Sequence, residues 1–332
     1  TLDLSLVLAR PSYGEGSPAA WAASAAVGGS PGAGDTEPAA PLDRVRVNEI
    51  LRRPGALAEG FIELRNDGPT AVDLTGCQLS DDAAALGRYV IPAGTVVAAG
   101  AQVVFTEAQL GFELAAAGGA VFLTDPAGTR VLDGVHSGGS AAGVSVGRAR
   151  DESGPLRSLA TVTPGTGNGG LRQPEIMISE LFFDPISDDD RDEWLELHNP
   201  GDRALDLDGW KFTDGITLTL PAGTRIPAGG WIVVARDAAR TRLRYPELSQ
   251  NQIVGDYAGT LSNQGERVTL VRTEMVGNTA IEVEVDAVTY RAGSRWSRWA
   301  AGGGSSLEVT DLRADRELAS SWADSDESAK AP

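Results

Sequence analysis

The 332-residue chain has few of the residues that usually carry metal and redox chemistry. It contains one cysteine, Cys77, and two histidines, His136 and His198. These counts exclude an internal disulfide, a cysteine-rich zinc site and a multi-histidine metal centre. A single cysteine fits an oxidising or a reducing compartment equally well. No uncharged apolar stretch approaches the roughly 18 residues of a membrane-spanning helix, so membrane insertion is not expected.

Positive charge is also scarce. Aspartate and glutamate total 46 against 28 lysines and arginines, which gives a formal net charge of −18. A surface of this charge repels a phosphate backbone, so nucleic acid is not expected as a partner. Glycine, with 41 residues, and proline, with 18, are abundant by contrast. This composition favours turn-rich β structure over a helical bundle.

Several short motifs occur twice, in the same order. The pairs are Val45–Ile50 with Ile176–Leu181, Phe61–Asn66 with Trp194–Asn199, Ala71–Asp81 with Ala204–Asp214, Ile91–Thr95 with Leu220–Thr224, and Leu114–Leu123 with Leu261–Leu270. The copies are offset by roughly 130 to 147 residues, which indicates two copies of one module. Apolar and polar residues alternate within many of these motifs, a pattern typical of β-strands.

In their fixed order, these motifs resemble the lamin tail domain. The shared features are an opening strand that ends in glutamate, then Trp/Phe-x-Glu-Leu-x-Asn, Asp-Leu-x-Gly-Trp and Pro-Ala-Gly-Thr. The resemblance implies an all-β fold of two tandem immunoglobulin-like β-sandwich modules. The family occurs in nuclear lamins and in many secreted or surface proteins of bacteria. It implies an interaction role without catalytic residues, so we expect the chain not to be an enzyme.

One position of each module tests the resemblance. Trp210 fits the tryptophan that the family pattern has after Asp-Leu-x-Gly, whereas Cys77 departs from it. The departure predicts a smaller side chain in the core of the first module rather than a different fold.

The ends of the chain carry a third, partial copy. Ser5–Leu8 lies sixteen residues before Trp21, and Ser306–Val309 lies sixteen before Trp322. We therefore expect residues 1–34 to be the closing segment of a preceding module, and the chain to be a piece of something longer. The expected divisions are a closing segment at 1–34, a linker at 35–44, a first sandwich at 45–165, a linker at 166–175, a second sandwich at 176–325 and a tail at 326–332.

A single segment of the chain has a helical pattern. Residues 237–248 predict a short helix, with Asp237 as its N-cap and Pro246 at its end. The arginines at 236, 240, 242 and 244 form a local basic cluster in this segment. We expect this cluster to pair with the protein's own acidic groups, although an acidic partner is the alternative.

Four repeated glutamates are the first candidate site: Glu49, Glu63, Glu180 and Glu196. Paired carboxylates can serve in general acid–base catalysis. These four, however, occupy equivalent positions in both copies, and neither copy adds a nucleophile motif around a histidine. We therefore predict that they are structural carboxylates, which accept backbone N–H groups of neighbouring loops.

The acidic loop at 184–193 is the second candidate. Asp188, Asp190 and Asp192 stand on alternate residues, a spacing that can surround a calcium ion with oxygen ligands. The loop lacks the glycine and the distal glutamate of an EF-hand. The alternative is a solvated hairpin tip, and apart from this calcium candidate no cofactor is expected.

Trp296 and Trp299 are the third candidate, because aromatic faces can stack on sugar rings. Three residues apart in a strand they would point to opposite faces, so one of them is expected in the core. Two functional hypotheses follow. The first is an adhesive or scaffolding module of a larger extracellular or cell-surface protein, whose partners are other modules of the parent chain or neighbouring copies. The alternative is a carbohydrate-binding accessory module of a larger enzyme, with polysaccharide as its partner.

Overall fold

The computed structural model describes residues 6–8, 21–23, 41–57, 59–151, 154–293 and 295–325. The chain forms two compact units that meet in sequence between Arg172 and Gln173. Strands dominate both units, so the predicted all-β class is confirmed. Within the described ranges, no helix combines the length and the apolar character needed to cross a membrane.

The first unit contains two main sheets. Its strands are β1 (Leu6–Leu8), β2 (Trp21–Ala23), β3 (Val45–Leu51), β4 (Phe61–Asn66), β5 (Val72–Asp73), β6 (Gln78–Ser80), β7 (Tyr89–Val90), β8 (Val96–Val97), β9 (Gln102–Thr106), β10 (Gly118–Thr124), β11 (Val131–Gly138), β12 (Val146–Gly147) and β13 (Arg157–Ser158), and its short helix is α1 (Glu107–Leu110). One sheet has the order β13-β12-β3-β4-β9 and the other the order β11-β10-β6-β7. The pairs β1–β2 and β5–β8 form two separate small sheets.

Alternation along the strands places apolar side chains of the first unit in one core. Val47, Ile62, Leu79 and Leu123 are completely buried there, and burial of each large apolar side chain contributes about 1.5–3 kcal/mol. Cys77 is completely buried in the same cluster. A small side chain therefore fills this part of the first core.

The second unit has a similar arrangement of strands. They are β14 (Met177–Phe182), β15 (Trp194–His198), β16 (Leu205–Asp206), β17 (Lys211–Asp214), β18 (Ile216–Thr219), β19 (Arg225–Ile226), β20 (Trp231–Ala235), β21 (Ile253–Val254), β22 (Ala258–Gly259), β23 (Arg267–Val276), β24 (Thr279–Thr289), β25 (Leu307–Val309) and β26 (Trp322–Asp324), with the helix α2 (Ala238–Arg244). The sheets have the orders β21-β20-β15-β14-β25-β26 and β22-β18-β17-β23-β24, and β16 pairs with β19. Trp210 is partly buried against the core of this unit.

Short 3-10 turns connect several of these strands. They span Pro41–Arg44, Ala149–Asp151, Asp190–Asp192, Gln250–Gln252 and Ala319–Ser321. The predicted helix is confirmed as α2, and the Asp237 carboxylate accepts the N–H of Arg240 at 2.9 Å as an N-cap. The cap explains why the helix begins where the sequence predicts.

The N-terminal hairpin and the last hairpin of the second unit have the same register. Leu8 lies opposite Trp21 in β1–β2, and Val309 lies opposite Trp322 in β25–β26. The two hairpins therefore share one pairing register, and the assignment of residues 1–34 to a preceding module stays a prediction. The rest of the expected closing segment, the linker before Pro41 and the tail at 326–332 lie outside the described residues.

Two asparagines hold equivalent loops in the two units. Asn66 and Asn199 are fully buried. Each carboxamide donates to three backbone carbonyls, two of which lie in a later turn, at residues 97–98 in the first unit and 226–227 in the second. Each also accepts the N–H of the glycine two residues ahead. The Asn-x-Gly turn of each copy is therefore pinned to a neighbouring turn about thirty residues later.

Candidate functional site

The repeated glutamates of the first module form a closed pair. Glu49 and Glu63 lie opposite each other on β3 and β4 and are fully buried. Glu49 accepts hydrogen bonds from the Ser145 hydroxyl at 2.5 Å and from the Thr163 N–H at 3.2 Å. Glu63 accepts the Gly165 N–H at 2.7 Å. Here the predicted contact between strand carboxylates and a loop backbone is confirmed.

The equivalent glutamates of the second module have a different environment. Glu180 and Glu196 lie opposite each other on β14 and β15 and are half-buried. The Ser306 hydroxyl donates to Glu180, and the Ser179 hydroxyl donates to Glu196 at 2.7 Å. All four repeated carboxylates therefore accept hydrogen bonds inside their own module, which fits a structural use.

One aspartate supports the first strand of each module, half-buried in the first and buried in the second, and sequence reasoning missed both. A bulge interrupts β3 after Val47, and the Asp133 carboxylate accepts the freed Val47 N–H at 2.9 Å. Arg148 donates to the same Asp133 oxygen at 3.1 Å and to the Val47 carbonyl at 2.9 Å. The bulge thus depends on an ion pair that comes from two later segments of the chain.

The second module builds the same support with a different arginine. Asp286 accepts the Ile178 N–H at 2.7 Å, next to the bulge in β14. Arg316 binds Asp286 through two hydrogen bonds of 2.5 Å, and both side chains are nearly inaccessible to water. The available sequence signal was an aspartate inside an alternating apolar strand at 132–135 and 285–288.

Glu193 is a buried acid whose pKa lies well above its ordinary value. It is 1% exposed and accepts the Tyr257 hydroxyl at 3.0 Å and the Leu261 N–H at 2.9 Å. Burial raises the pKa of Glu193 from 4.5 to about 7, and these hydrogen bonds oppose the shift. Arg236 lies 3.9 Å away and supplies a weak compensating charge.

The acidic loop does not bring its three candidate ligands into one set. Asp188 and Asp190 are exposed, whereas Asp192 is buried. The Arg240 guanidinium forms a two-point contact with Asp192, with one hydrogen bond of 2.8 Å, and lies 3.1 Å from Asp189. The hydrogen bond from Arg240 lowers the pKa of Asp192. Arginine thus already neutralises the one buried carboxylate among the three candidate ligands.

Three of the four arginines of the basic cluster pair with this protein's own acids, as predicted. Arg240 binds the loop, Arg244 lies 3.9 Å from Asp192, and Arg236 lies 3.9 Å from Glu193. In the part of the chain that the structure describes, no three His, Cys, Asp or Glu side chains are grouped so as to hold a metal ion. Calcium binding by Asp188, Asp190 and Asp192 stays a prediction.

The two candidate tryptophans have separate environments. Both lie in turns between β24 and β25, so the expectation of a strand there is wrong. Trp296 is partly buried against the core, with its ring centroid 6.3 Å from that of Trp322. Trp299 is 60% exposed. One ring is therefore committed to packing and the other is presented to solvent.

Exposed Trp299 belongs to a small surface that we call the Trp299 patch: Asp184, Ile186, Asn263, Trp299 and the glycines 302–304. A methyl group on Gly303 would lie 2.8 Å from Cε3 of the indole, so only glycine lets the ring lie over this segment. Methyl groups on Gly302 and Gly304 would lie 3.2 Å from Asp184 Oδ2 and 3.7 Å from Ile186 Cδ1. The three glycines therefore touch three different side chains of one surface.

A cleft of about 510 Å³ is present on another side of the second module. Its lining includes Glu175, His198, Arg203 and Arg313. His198 is buried, its Nδ1 lies 3.1 Å from the Gly230 carbonyl, and its ring stacks on that of Trp231. Burial lowers the pKa of His198, which favours the neutral imidazole.

Comparison with known proteins gives one clear match. A family model described as Lamin Tail Domain matches residues 38–139 and 172–292, more than half of the chain. No curated protein matches the chain. A crystal structure of a DUF4876 family protein from Bacteroides thetaiotaomicron VPI-5482 is 12% identical, with 68% of this chain and 76% of that chain covered and a TM-score of 0.27. A likeness at that TM-score supports no conclusion.

Proposed function

The chain belongs to the lamin tail domain family, and on this premise we propose that its two sandwiches are non-catalytic interaction modules. We propose an adhesive or scaffolding role within a larger protein at the cell surface or outside the cell. The parent chain's other modules, or neighbouring copies, are the proposed partners.

The observation that carries this proposal is the use of the repeated carboxylates. Glu49, Glu63, Glu180 and Glu196 all accept hydrogen bonds inside their own modules. A general acid or base must instead reach a substrate proton. Each module therefore uses its most prominent acids to hold strands and loops together.

The distribution of histidine supports the same proposal. His136 lies in β11 of the first module, and His198 lies buried in β15 of the second. His198 is bonded to a backbone carbonyl and stacked on Trp231. Neither arrangement resembles a nucleophile–base pair, in which a hydroxyl or thiol lies within hydrogen-bond reach of the imidazole.

Two experiments test the proposal. A panel of hydrolase substrates should give no turnover with the full chain, and turnover abolished by Glu180→Gln or Glu196→Gln would contradict it. An antibody against this chain should label intact cells of the source organism as strongly as permeabilised ones. Labelling only after permeabilisation would contradict the extracellular or surface location.

A further inference from the structure

The Trp299 patch has an apolar part and a polar edge. Trp299 and Ile186 are 60% and 66% exposed, and both border the same glycine segment. The Asn263 carboxamide donates to Asp184 Oδ1 at 3.0 Å. Asp184 Oδ2 lies on the side of Gly302 and has no hydrogen-bond donor among the described residues. An open aromatic ring therefore lies in the same surface as a carboxylate–amide pair.

These groups match the chemistry of a sugar ring. The apolar C–H face of a pyranose packs on an indole, and its hydroxyls donate to carboxylates and accept from amides. The glycines at 302–304 remove the side chains that would otherwise stand beside the indole. Asp184 is half-buried, and burial together with the nearby Asp188 charge raises its pKa.

The size and the charge of the patch narrow the choice of ligand. Its apolar part consists of two side chains, Trp299 and Ile186, whereas a stable protein interface uses about 20–30 residues on each side. Asp184 and Asp188 give the edge a negative charge, in a chain with a net charge of −18. An anionic polymer would be repelled at the edge formed by Asp184. A neutral saccharide of one or two contacted rings fits both properties.

We infer that the Trp299 patch binds a neutral polysaccharide, with Trp299 as the stacking platform and Asp184 and Asn263 as hydrogen-bonding partners of sugar hydroxyls. The inference rests on the proposed interaction role and names its partner class. It replaces the pair Trp296 and Trp299 with a single exposed tryptophan, because Trp296 packs against the core.

The test measures binding of the full chain to neutral polysaccharides. Insoluble cellulose and chitin serve in pull-down assays, and soluble β-glucan, xylan and galactomannan serve in affinity gel electrophoresis. Retention by at least one probe is expected, and Trp299→Ala should weaken it by about tenfold or more, the effect of losing a central aromatic contact. Asp184→Asn should weaken it less, because the amide still offers an oxygen and keeps the shape of the side chain.

The matched control is Trp231→Ala, which removes the other strongly exposed tryptophan of the second module, 48% exposed and distant in sequence from the patch. This variant should bind as the unaltered chain does. Equal weakening in both variants, or no retention by any probe, would overturn the inference. Tighter binding to polygalacturonate than to every neutral probe would also overturn it.

A second copy of the chain is the rival occupant of the patch. Sedimentation velocity compares self-association of the unaltered chain and of Trp299→Ala. We expect the two to behave alike. Association of the unaltered chain that is lost in Trp299→Ala would overturn the inference in favour of self-assembly. Circular dichroism of Trp299→Ala should match that of the unaltered chain, because the indole is mostly solvated. Loss of glycan binding leaves the non-catalytic role standing, whereas turnover in the hydrolase panel contradicts that role alone.

Discussion

An equivalent backbone N–H group in each module donates to a carboxylate, but the two carboxylates come from different positions of the module. In the first module, Glu107 accepts the Leu114 N–H at 2.7 Å and the Gly60 N–H at 3.0 Å. In the second, Glu193 accepts the N–H of Leu261, the counterpart of Leu114. Strand pairing places Glu193 at the position of Gly60, since Phe61 and Trp194 are equivalent.

The acid thus occupies opposite members of one residue pair in the two modules, and packing around Gly60 explains why. The same backbone hydrogen bond occurs in both modules. The Gly60 carbonyl accepts the Glu107 N–H in the first module, and the Glu193 carbonyl accepts the Arg236 N–H in the second. A methyl group on Gly60 would lie 2.4 Å from the Leu51 carbonyl and 2.9 Å from Glu107 Cδ. Glycine at this position thus accompanies an acid at 107. The two copies share a carboxylate acceptor at one place, while the residue that supplies it differs.

The two supporting aspartates, Asp133 and Asp286, also bind arginines from different positions of the module. Arg148 follows directly on β12, whereas Arg316 lies in the loop between β25 and β26. Both reach the carboxylate that holds the first strand's bulge. The two pairs differ mainly in exposure, since the side chains of Arg316 and Asp286 are 7% and 4% exposed and those of Arg148 and Asp133 are 10% and 17% exposed.

That difference gives the largest expected effect. Asp286→Ala leaves Arg316 buried without its partner and should lower the free energy of unfolding of the second module by about 3–5 kcal/mol. Asp133→Ala should cost the first module about 2 kcal/mol, because water reaches its ion pair. Hydrogen exchange read by mass spectrometry separates the modules. Equal losses in both modules would contradict the role assigned to burial.

The second largest effect concerns Glu193 and pH. Its pKa is about 7 in the folded state against 4.5 ordinarily, so the folded chain binds more protons between these values. Stability therefore falls as pH rises through this window and stays constant above it. Glu193→Gln keeps an oxygen for Tyr257 and Leu261, and should stabilise the second module by about 3 kcal/mol at pH 8 and by little at pH 4.

Tryptophan fluorescence during urea unfolding measures this effect, because six of the seven tryptophans follow Gln173. Glu107→Gln is the matched change in the first module, where the carboxylate is half-buried. It should change stability by about 1 kcal/mol or less at either pH. A gain from Glu193→Gln that is the same at pH 4 and pH 8 would refute the proposed cause.

The glutamate pairs give a smaller contrast. Glu49→Gln places an amide among three donors, the Ser145 hydroxyl and both donors of Thr163. The cost to the first module should be about 2 kcal/mol, because a buried donor loses its acceptor. Glu180→Gln, at a half-buried position, should cost about 1 kcal/mol or less. Thermal unfolding by calorimetry compares the two, and a larger loss for Glu180→Gln would reverse the comparison.

Calcium gives the smallest expected effect. A calcium ion at Asp188, Asp190 and Asp192 would have to displace Arg240 from Asp192. Millimolar calcium should therefore raise the melting temperature of the second module by less than about 1 °C relative to chelator. A larger rise, lost in Asp190→Asn but kept in Asp202→Asn, would establish the site. The first module lacks the acidic run and serves as the internal control.

Local patterns were enough to predict the repeat, the strands and the helix. Alternation of apolar and polar residues marks β4 and β24, since one face of each strand must enter a core. The cap of α2 needs only Asp237 and the backbone three residues ahead. A structural role of the repeated glutamates could be predicted because they occupy equivalent positions in both modules.

Tertiary structure alone decided which charged groups are buried together. Asp133 meets Val47 across 86 residues and Arg316 meets Ile178 across 138, so no local spacing announces either contact. The same holds for Trp296 and Trp299, which are nearly identical in sequence context but differ in burial. Periodicity predicts which face of a strand is buried. The partner of a buried charge depends instead on how segments far apart in the chain pack together, and no local pattern in the sequence records that packing.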